Sequence, residues 1–408
     1  MEWPVPACIK MKILLVHNFY GSAAPSGENV VFEAEKALLQ KNGHEVSLFT
    51  RHSDEILGKG FFGKVQGALA APWNPWMSRA IQKAIADFQP DVVHAHNTFP
   101  LISLAIFHAI GKKVASVLTL HNYRLFCPAA IPMRNGRVCT ECLDKKSSFP
   151  AILHGCYIDS RIATVPLAFN VGLHRFLGTW KNNVDAFIAL SDFQAKLMVK
   201  SGLPAAKIEV KPNFFPGNPP VVPWPQRSSY VVFVGRLSAE KGVENLLRAW
   251  QMWGRKAPEL HLVGDGKLLA KLKRMADGLP VRFMGQVTTQ EAHANIARAR
   301  LLILPSECFE GFPMVVREAF AFGTPAAVSN IGPLPSIVKN EISGVVFEPG
   351  NPDSLLWQVR AAWENPDILE RFGACARAEF EAKYTEDANY KMLMAIYEKA
   401  IAVSKSIK

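Results

Sequence analysis

Short apolar runs alternate with amphipathic helical patterns through the first half of the chain. Residues 12–16 form an apolar run, a loop of Gly, Ser and Pro follows, and residues 30–39 repeat apolar positions at helical spacing. Similar runs, separated by helical patterns such as 80–88 and 193–201, predict further strands at 45–49, 91–94, 114–118, 186–190 and 208–210. This alternation predicts a parallel sheet covered by helices on both faces.

The same alternation begins again after a proline-rich segment. Residues 212–229 contain six prolines and few periodic apolar positions, which is typical of a semi-rigid linker. A second set of strands is predicted at 230–234, 260–263, 281–284, 301–304, 326–328 and 345–347, and the pattern is helical from residue 352 onward. We therefore predict an N-terminal domain at 1–212, a linker at 213–228, a second α/β domain at 229–386, and a final helical segment, 387–408, that crosses back to the first domain.

Two such domains predict doubly wound, Rossmann-like sheets. Ligands bind outside the carboxyl ends of the strands in these sheets, so two domains side by side would face a central cleft that holds the chemistry. The length of 408 residues agrees with two domains of this size.

The composition excludes several classes of protein. Hydrophobic residues make up 49% and charged residues 20% of the chain, which excludes a disordered or collagen-like protein. The longest apolar stretches are too short to cross a bilayer, and the first residues lack a signal-peptide pattern, so we expect a cytoplasmic protein. The formal net charge is +11, and most of the excess lies in residues 1–215. Nucleic acid, anionic lipid or a phosphorylated small molecule are therefore reasonable partners of the first half.

The sharpest candidate for chemistry is the segment 306–318, which follows a predicted strand and opens a helix. Gly311 allows close backbone approach, and Pro313 suits the first helical position, where free amides would hold a phosphate oxygen. Glu318, inside the helix, could accept two hydrogen bonds from a ribose diol, whereas Glu310 would face the group beyond the phosphates. The plain alternative is that both carboxylates decorate an exposed helix start.

Glu310 and Glu318, with seven residues between them, resemble the E-x7-E signature of retaining glycosyltransferases of family 4, which have the GT-B fold. Residues 234–242, VGRLSAEKG, resemble the family's donor-phosphate segment, in which an arginine and a lysine grip the diphosphate of a nucleotide sugar. Arg236 and Lys241 match these two cations. One guanidinium and one ammonium suit adjacent phosphates, and they would neutralise the charge on the leaving diphosphate.

The resemblance implies further site residues. His121 ends a strand where a family histidine touches the donor sugar, and His96 ends the preceding strand as an acceptor-side residue. Ser26 and Gly27 stand where the family has a Gly-Gly pair under the diphosphate, and residues 284–287 resemble the loop that contacts the base. The donor-binding residues implied by the resemblance are Gly27, Gly235, Gly285, Val287, Gly311, Phe312, Pro313, Met314, Val315 and Glu318, beside the catalytic Arg236, Lys241, Glu310 and His121.

Two features depart from a minimal enzyme of this family. Four cysteines in one predicted loop, with a C-x2-C pair in the middle, match a structural zinc site or reduced thiols packed in a loop; they are Cys127, Cys139, Cys142 and Cys156. Two stretches, 57–64 and 162–181, mix large apolar residues with basic ones. They suit either a protein core or a surface that rests on anionic lipid.

The sequence therefore predicts a cytoplasmic or membrane-peripheral retaining glycosyltransferase. It would move a sugar from a nucleotide-diphosphate sugar, bound by the second domain, to a saccharide or lipid-linked saccharide bound by the first. Members of the family generally need no catalytic metal, which agrees with the absence of an Asp-x-Asp pair from this sequence. The alternatives are an epimerase or phosphorylase on the same architecture, a sugar-binding protein without catalysis, and a basic zinc-ribbon protein that binds nucleic acid.

Overall fold

The computed structural model describes residues 10–22, 26–112 and 114–406. The chain forms two compact units. The first comprises Met1–Pro132, Thr140–Asn213 and Glu386–Lys408, and the second comprises Met133–Cys139 and Phe214–Thr385.

The first unit is built on a six-stranded sheet in the order β2-β1-β3-β4-β7-β8, in which all neighbouring strands are parallel. The strands of this sheet are β1 Lys12–Phe19, β2 Glu45–His52, β3 Val92–Asn97, β4 Ala115–Leu120, β7 Ala186–Ala189 and β8 Ile208–Val210. The strands β5 Met133–Arg134 and β6 Arg137–Val138, in the segment Met133–Cys139 of the second unit, form a separate antiparallel hairpin. The α-helices of the first unit are Gly27–Lys41, Asp54–Leu57, Gly60–Ala70, Pro75–Phe88, Ile106–Ile110, Glu141–Asp144, Phe149–His154, Arg161–Phe176, Thr179–Asn182, Asp192–Lys200 and Glu386–Ser406.

Strand β1 is longer than the apolar pattern predicts. The pattern ends at residue 16, but the strand continues through His17 and Asn18, whose side chains are fully buried. Both faces of the sheet are covered, as continuous apolar strands require. The helix Glu386–Ser406 contributes to one side of this core, where Leu393 and Tyr397 pack with Leu15 of β1.

The second unit repeats the architecture with the strand order β11-β10-β9-β12-β13-β14, again all parallel. Its strands are β9 Tyr230–Val234, β10 Glu259–Val263, β11 Val281–Gly285, β12 Leu301–Leu304, β13 Ala326–Ser329 and β14 Gly344–Phe347. Its α-helices are Val243–Trp253, Leu269–Met275, Thr289–Arg298, Met314–Ala321, Leu334–Ile337, Pro352–Trp363 and Pro366–Lys383. The two parallel sheets confirm the predicted pair of Rossmann-like domains.

The proline-rich segment is anchored in the second unit by one buried cation. The guanidinium of Arg227 donates hydrogen bonds to the carbonyls of Ala299 and Phe322 and to the hydroxyl of Thr324, at 2.6 to 2.9 Å. Burial lowers the pKa of Arg227 to about 10, so the group stays charged at neutral pH. These hydrogen bonds fix the end of the proline-rich segment to the residues that precede strands β12 and β13.

Within the described residues, no helix is both long and apolar enough to cross a membrane.

Candidate active site

The second unit has a topological switch point between β9 and β12. These two strands are neighbours in the sheet although the strands β10 and β11 lie between them in sequence, so the strand order reverses there. Loops that leave the carboxyl ends of such a strand pair diverge and open a crevice for a ligand. The two loops at this point are 235–242 and 305–313, which contain seven of the fourteen residues that the sequence predicts for donor binding and catalysis.

The loop after β9 is held by close backbone contacts. Gly235 N–H donates to the carbonyl of Val263, and Leu237 N–H donates to that of Asp265, both at 2.9 Å. A Cβ atom at Gly264 would lie 2.0 Å from the carbonyl oxygen of Gly235, and Gly264 has a φ of +136°. The glycine is therefore required for the loop to seat on its neighbour, a role that the sequence motif alone does not show.

Gly242 has the same function at the other end of this loop. Its φ is +66°, and a Cβ there would lie 1.9 Å from the carbonyl oxygen of Pro305 in the loop after β12. Glu307 N–H also donates to the carbonyl of Glu240 at 2.9 Å. These contacts bring the two predicted donor loops together.

Lys241 and Glu310 form an ion pair between the two loops. Lys241 Nζ lies 2.7 Å from Glu310 Oε1, and the side chains are 21% and 12% exposed. The hydroxyl of Ser306 donates to the same carboxylate oxygen. Burial acts to raise the pKa of Glu310, but the Lys241 ammonium and these hydrogen bonds outweigh it and lower the pKa, so the carboxylate is ionised at neutral pH. Ser306 is a positioning residue to which the sequence analysis gave no role.

Arg236 differs from Lys241 in its surroundings. Its side chain is 69% exposed, and its nearest anionic partner is Glu240, with 3.9 Å between Nη1 and Oε1. Glu240 is held in turn by a hydrogen bond from the Ser238 hydroxyl. The second unit thus presents one cation fixed by a carboxylate and one exposed cation on the same short loop.

The helix after the second loop spans Met314–Ala321, so Glu318 lies inside it as predicted. Pro313 was expected at the first helical position, but it is the residue before the helix, and its carbonyl accepts from Val316 N–H at 3.0 Å. The one-residue difference arises because Pro313, with a ψ of 85°, has not yet adopted helical geometry. Val315 therefore lies in the first turn, and Gly311 and Phe312 precede it in the loop.

Glu318 is partly buried between two basic side chains. Arg317 Nη2 lies 3.5 Å from one carboxylate oxygen, and His293 Nε2 lies 3.9 Å from the other. Burial is the main cause that lowers the pKa of His293, so this neighbour is neutral at pH 7. The carboxylate keeps acceptor capacity for a further hydrogen-bond donor.

The remaining predicted donor residues lie apart from this pair of loops. Gly285 ends β11 and accepts a hydrogen bond from Gly264 N–H at 2.8 Å, and Val287 follows it, partly buried. Gly27 opens the helix Gly27–Lys41 in the first unit. Pro25, in the predicted phosphate loop, lies outside the described residues.

The first unit has polar side chains at the carboxyl edge of its central strands. They follow or end β1, β3 and β4, and His96 and Asn97 with His121 and Asn122 line a cavity of about 60 Å³. The switch point of this sheet lies between β1 and β3, beside the same edge. The sequence-predicted His96 and His121 are therefore brought together.

The two histidines form a chain of hydrogen bonds with a buried carboxylate. His121 Nε2 lies 3.0 Å from His96 Nδ1, and His96 Nε2 lies 3.0 Å from Glu35 Oε1. Burial lowers the pKa of His96 to about 4 and that of His121 well below its ordinary value, so both rings are neutral at pH 7. Burial alone would raise the pKa of Glu35, but Lys211 and the imidazoles hold it well below its usual range.

The tautomers follow from this chain. A carboxylate can only accept, so His96 donates from Nε2 to Glu35 and accepts at Nδ1 from the Nε2–H of His121. The Nδ1 atom of His121 is left as an acceptor. Glu35, which the sequence analysis did not single out, is thus the residue that fixes the orientation and tautomer of His121.

A metal ion could be considered at the same cluster, because ligand atoms of Glu35, His94 and His96 lie within 4.8 Å of one another. However, Lys211 Nζ already lies 2.9 Å from Glu35 Oε2 and 3.0 Å from the side-chain oxygen of Asn389. The ammonium supplies the compensating positive charge. The cluster is therefore complete as a buried ion pair between Lys211 and Glu35, with the neutral His96 beside it.

Glu28, in the first turn of the helix Gly27–Lys41, lies beside the same group of polar side chains. Its Oε1 accepts from the side-chain amide of Asn122 at 2.9 Å, beside the cavity. Burial raises its pKa, against the lowering effects of Asn122 and Arg124. Glu28 therefore keeps a proton to a higher pH than an ordinary glutamate. It contacts the cavity through Asn122, which lines it.

The four cysteines of the proposed zinc site fall in both units. Cys127, Cys142 and Cys156 lie in the first, and Cys139 lies in the segment that belongs to the second. Burial, together with the nearby thiols of Cys142 and Cys156, raises the pKa of Cys127 to about 12. Within the described part of the first unit, the three sulfur atoms do not all lie within 4.8 Å of one another. Zinc binding stays a prediction.

Two family models match the chain, and together they span both units. Glycosyltransferase Family 4 matches residues 27–216, and Glycosyl transferases group 1 matches residues 216–379.

Curated proteins related to this chain carry matching names. The chain is 32% identical over 176 residues to an uncharacterized glycosyltransferase, MJ1607, of Methanocaldococcus jannaschii, and this match covers 42% of this chain and 45% of that protein. It is 25% identical to the sulfoquinovosyl transferase SQD2 of Arabidopsis thaliana, over 89% of this chain and 69% of that protein. It is 32% identical to a glycogen synthase of Mycobacterium tuberculosis, over 38% of each chain. Two of these three relatives are thus matched over less than half of their own length.

A solved structure shares the fold over nearly the whole chain. The structure of Anabaena Alr3699/HepE in complex with UDP and glucose has a TM-score of 0.63 and 17% sequence identity, and the match covers 95% of this chain and 100% of that one. The two family models together match residues 27–379, and they show that the chain is a glycosyltransferase of the family 4 type, with the GT-B fold that its two Rossmann-like sheets and this solved structure share.

Proposed function

We propose that the protein is a retaining glycosyltransferase that moves a sugar from a nucleoside-diphosphate sugar to a hydroxyl of a saccharide or lipid-linked saccharide. The observation that carries the proposal is the Lys241–Glu310 ion pair at the switch point of the second sheet, with the exposed Arg236 on the same loop. The name of the HepE structure, which contains UDP and glucose, supports a nucleotide-sugar donor. The relative named glycogen synthase supports a role in polysaccharide synthesis.

In this proposal the second unit binds the donor. Departure of the nucleoside diphosphate leaves positive charge on the sugar and negative charge on the phosphates. Arg236 and Lys241 stabilise the leaving group as this charge develops, and Glu318 binds the ribose diol. Glu310, ionised and oriented by Ser306, faces the sugar.

The two cations supply the charge stabilisation that a metal ion supplies in other transferases. We therefore include no metal cofactor in the transfer step, and any zinc held by the cysteines would be structural. Transfer activity that survives removal of divalent cations by a chelator is the expected result.

The first unit would bind the acceptor beside the cavity that His96 and His121 line. The Nδ1 of His121 is the acceptor atom available there, and it can take a hydrogen bond from a sugar hydroxyl. With a lipid-linked acceptor, sugar transfer would take place at the cytoplasmic face of a membrane.

A donor screen tests this function. Sugars linked to UDP, GDP, ADP and dTDP are added separately, and the melting temperature is measured. A matching donor at about 100 times its Kd should stabilise the fold by about 2.7 kcal/mol. The stabilising donor is then incubated with saccharide acceptors, and the released diphosphate and the anomeric configuration of the product are measured. Retention of configuration with acceptor-dependent release is expected. Release without acceptor dependence, or an epimerised sugar, would replace the proposal with the epimerase or phosphorylase alternative.

A further inference from the structure

The helix Arg161–Phe176 in the first unit is apolar on both sides. One side buries Leu167, Ala168 and Val171 in the unit. The opposite side exposes large apolar residues at helical spacing, which are Ile162, Val165, Phe169 and, two turns further on, Phe176. An exposed stripe of this kind runs about 21 Å along the helix axis. Surface helices of proteins that stay in water normally place polar residues there.

A second helix has the same property. Phe61, Phe62 and Leu69 of the helix Gly60–Ala70 are 75%, 81% and 73% exposed. This helix packs against the helix Arg161–Phe176. We call the exposed apolar residues of the two neighbouring helices the apolar helical face; they are Phe61, Phe62, Val65, Leu69, Ile162, Val165, Phe169 and Phe176. So many exposed large apolar side chains on two packed helices are typical of an interaction site.

The charged residues on these two helices and the turn that follows the second are all basic. Residues 59–70 and 161–181 contain five lysines and arginines and no aspartate or glutamate. Lys59, Arg161 and Lys181 are exposed. A protein partner would have to match these cations with acidic side chains. A bilayer with anionic headgroups offers both an apolar interior and a negatively charged surface.

We propose that the apolar helical face inserts into the headgroup region of a membrane that contains anionic lipid. The aromatic and aliphatic side chains enter the boundary between headgroups and acyl chains, and the lysines and arginines contact the lipid phosphates. The proposal deepens the proposed function, because it favours a lipid-linked acceptor, but binding to the bilayer does not require transfer activity.

The test is cosedimentation of the full chain with vesicles of phosphatidylcholine alone or mixed with phosphatidylglycerol. Binding to the mixed vesicles, with a much weaker signal on pure phosphatidylcholine, is expected. The quadruple variant Phe61→Ser, Phe62→Ser, Phe169→Ser, Phe176→Ser should weaken binding at least tenfold. All four side chains are exposed, so the fold should be retained. The matched control is Trp357→Ser, which removes an aromatic side chain that is 70% exposed in the second unit and should leave binding unchanged.

The contribution of charge is tested with the double variant Arg161→Glu, Lys181→Glu, which should weaken binding to mixed vesicles about tenfold or more. A higher salt concentration should also weaken binding of the wild type. Absence of wild-type binding to mixed vesicles would overturn the inference. The inference would also be overturned if the wild-type chain self-associates without lipid and the quadruple variant is monomeric, because the apolar helical face would then be an interface between copies. Stabilisation by the matching donor, measured on the same variants, should stay at the wild-type level. Loss of vesicle binding with intact donor stabilisation therefore separates this inference from the proposed function.

Discussion

Replacement of Arg236 by alanine should remove most transfer activity and leave the fold intact. The side chain is 69% exposed and its nearest carboxylate is 3.9 Å away, so the folded state gains little from it. Exposed pairs contribute less than about 1 kcal/mol, and we expect the free energy of unfolding to change by about 0.5 kcal/mol or less. In the proposed transfer step the same guanidinium faces the developing charge of the diphosphate. Loss of one preorganised group of this kind costs about 2–4 kcal/mol, which is about 30- to 1000-fold in rate.

Lys241 should behave differently, and the contrast tests the geometry. Lys241→Met removes the ammonium that lies 2.7 Å from a carboxylate with only 12% exposure. Breaking a fully buried pair costs about 3–5 kcal/mol, and because Lys241 is one-fifth exposed we expect about 1–3 kcal/mol of lost stability besides the lost activity. The double variant with Glu310→Gln should recover part of this stability, because no uncompensated carboxylate remains.

The assay for both variants is release of nucleoside diphosphate from the donor that stabilises the wild type, with unfolding in urea measured in parallel. Lys273→Ala is the matched control, because it removes an exposed cation from the same unit outside the two loops. Near-normal turnover of Arg236→Ala would refute the assignment of the leaving-group site. Equal loss of stability in the Arg236 and Lys241 variants would show that the ion-pair geometry is misread.

Three further predictions concern the nucleotide, pH and metal. Glu318→Gln should weaken the binding of free nucleoside diphosphate, measured by calorimetry, and unchanged affinity would exclude a contact with ribose. Burial lowers the pKa values of His96 and His174 from 6.5 to about 4, so the unfolded chain binds more protons between these pH values. The melting temperature should then fall as the pH drops from 6.5 to 4, and a flat profile would contradict the buried neutral rings. Elemental analysis should give about one zinc per chain, lost in Cys142→Ser; metal-free, fully stable protein would leave Cys127 and its neighbours as packed thiols.

The architecture of this protein follows from its pattern of apolar and polar residues. Continuous apolar runs such as residues 230–234 can only be buried when helices cover both faces of a parallel sheet, and the amphipathic segments between the runs supply those helices. It also indicated the two donor loops, because Gly, Pro and charged residues directly after a strand mark the edge where such sheets bind ligands. The pattern did not show where β1 ends. His17 and Asn18 interrupt the apolar run, but both lie within the strand.

Which side chains meet could not be predicted before the chain was folded. Glu35, Lys211 and His96 are far apart in sequence: His96 and Lys211 lie at the carboxyl ends of β3 and β8, and the helix Gly27–Lys41 brings Glu35 against both. Local patterns carry no information about such pairs, and a lone buried glutamate in a helix looks like any other. The same holds for the apolar residues at 162–176, whose spacing fits a core as well as a surface. Folding buries one side of that helix and exposes the other, and this exposure is the physical basis for the proposed membrane contact.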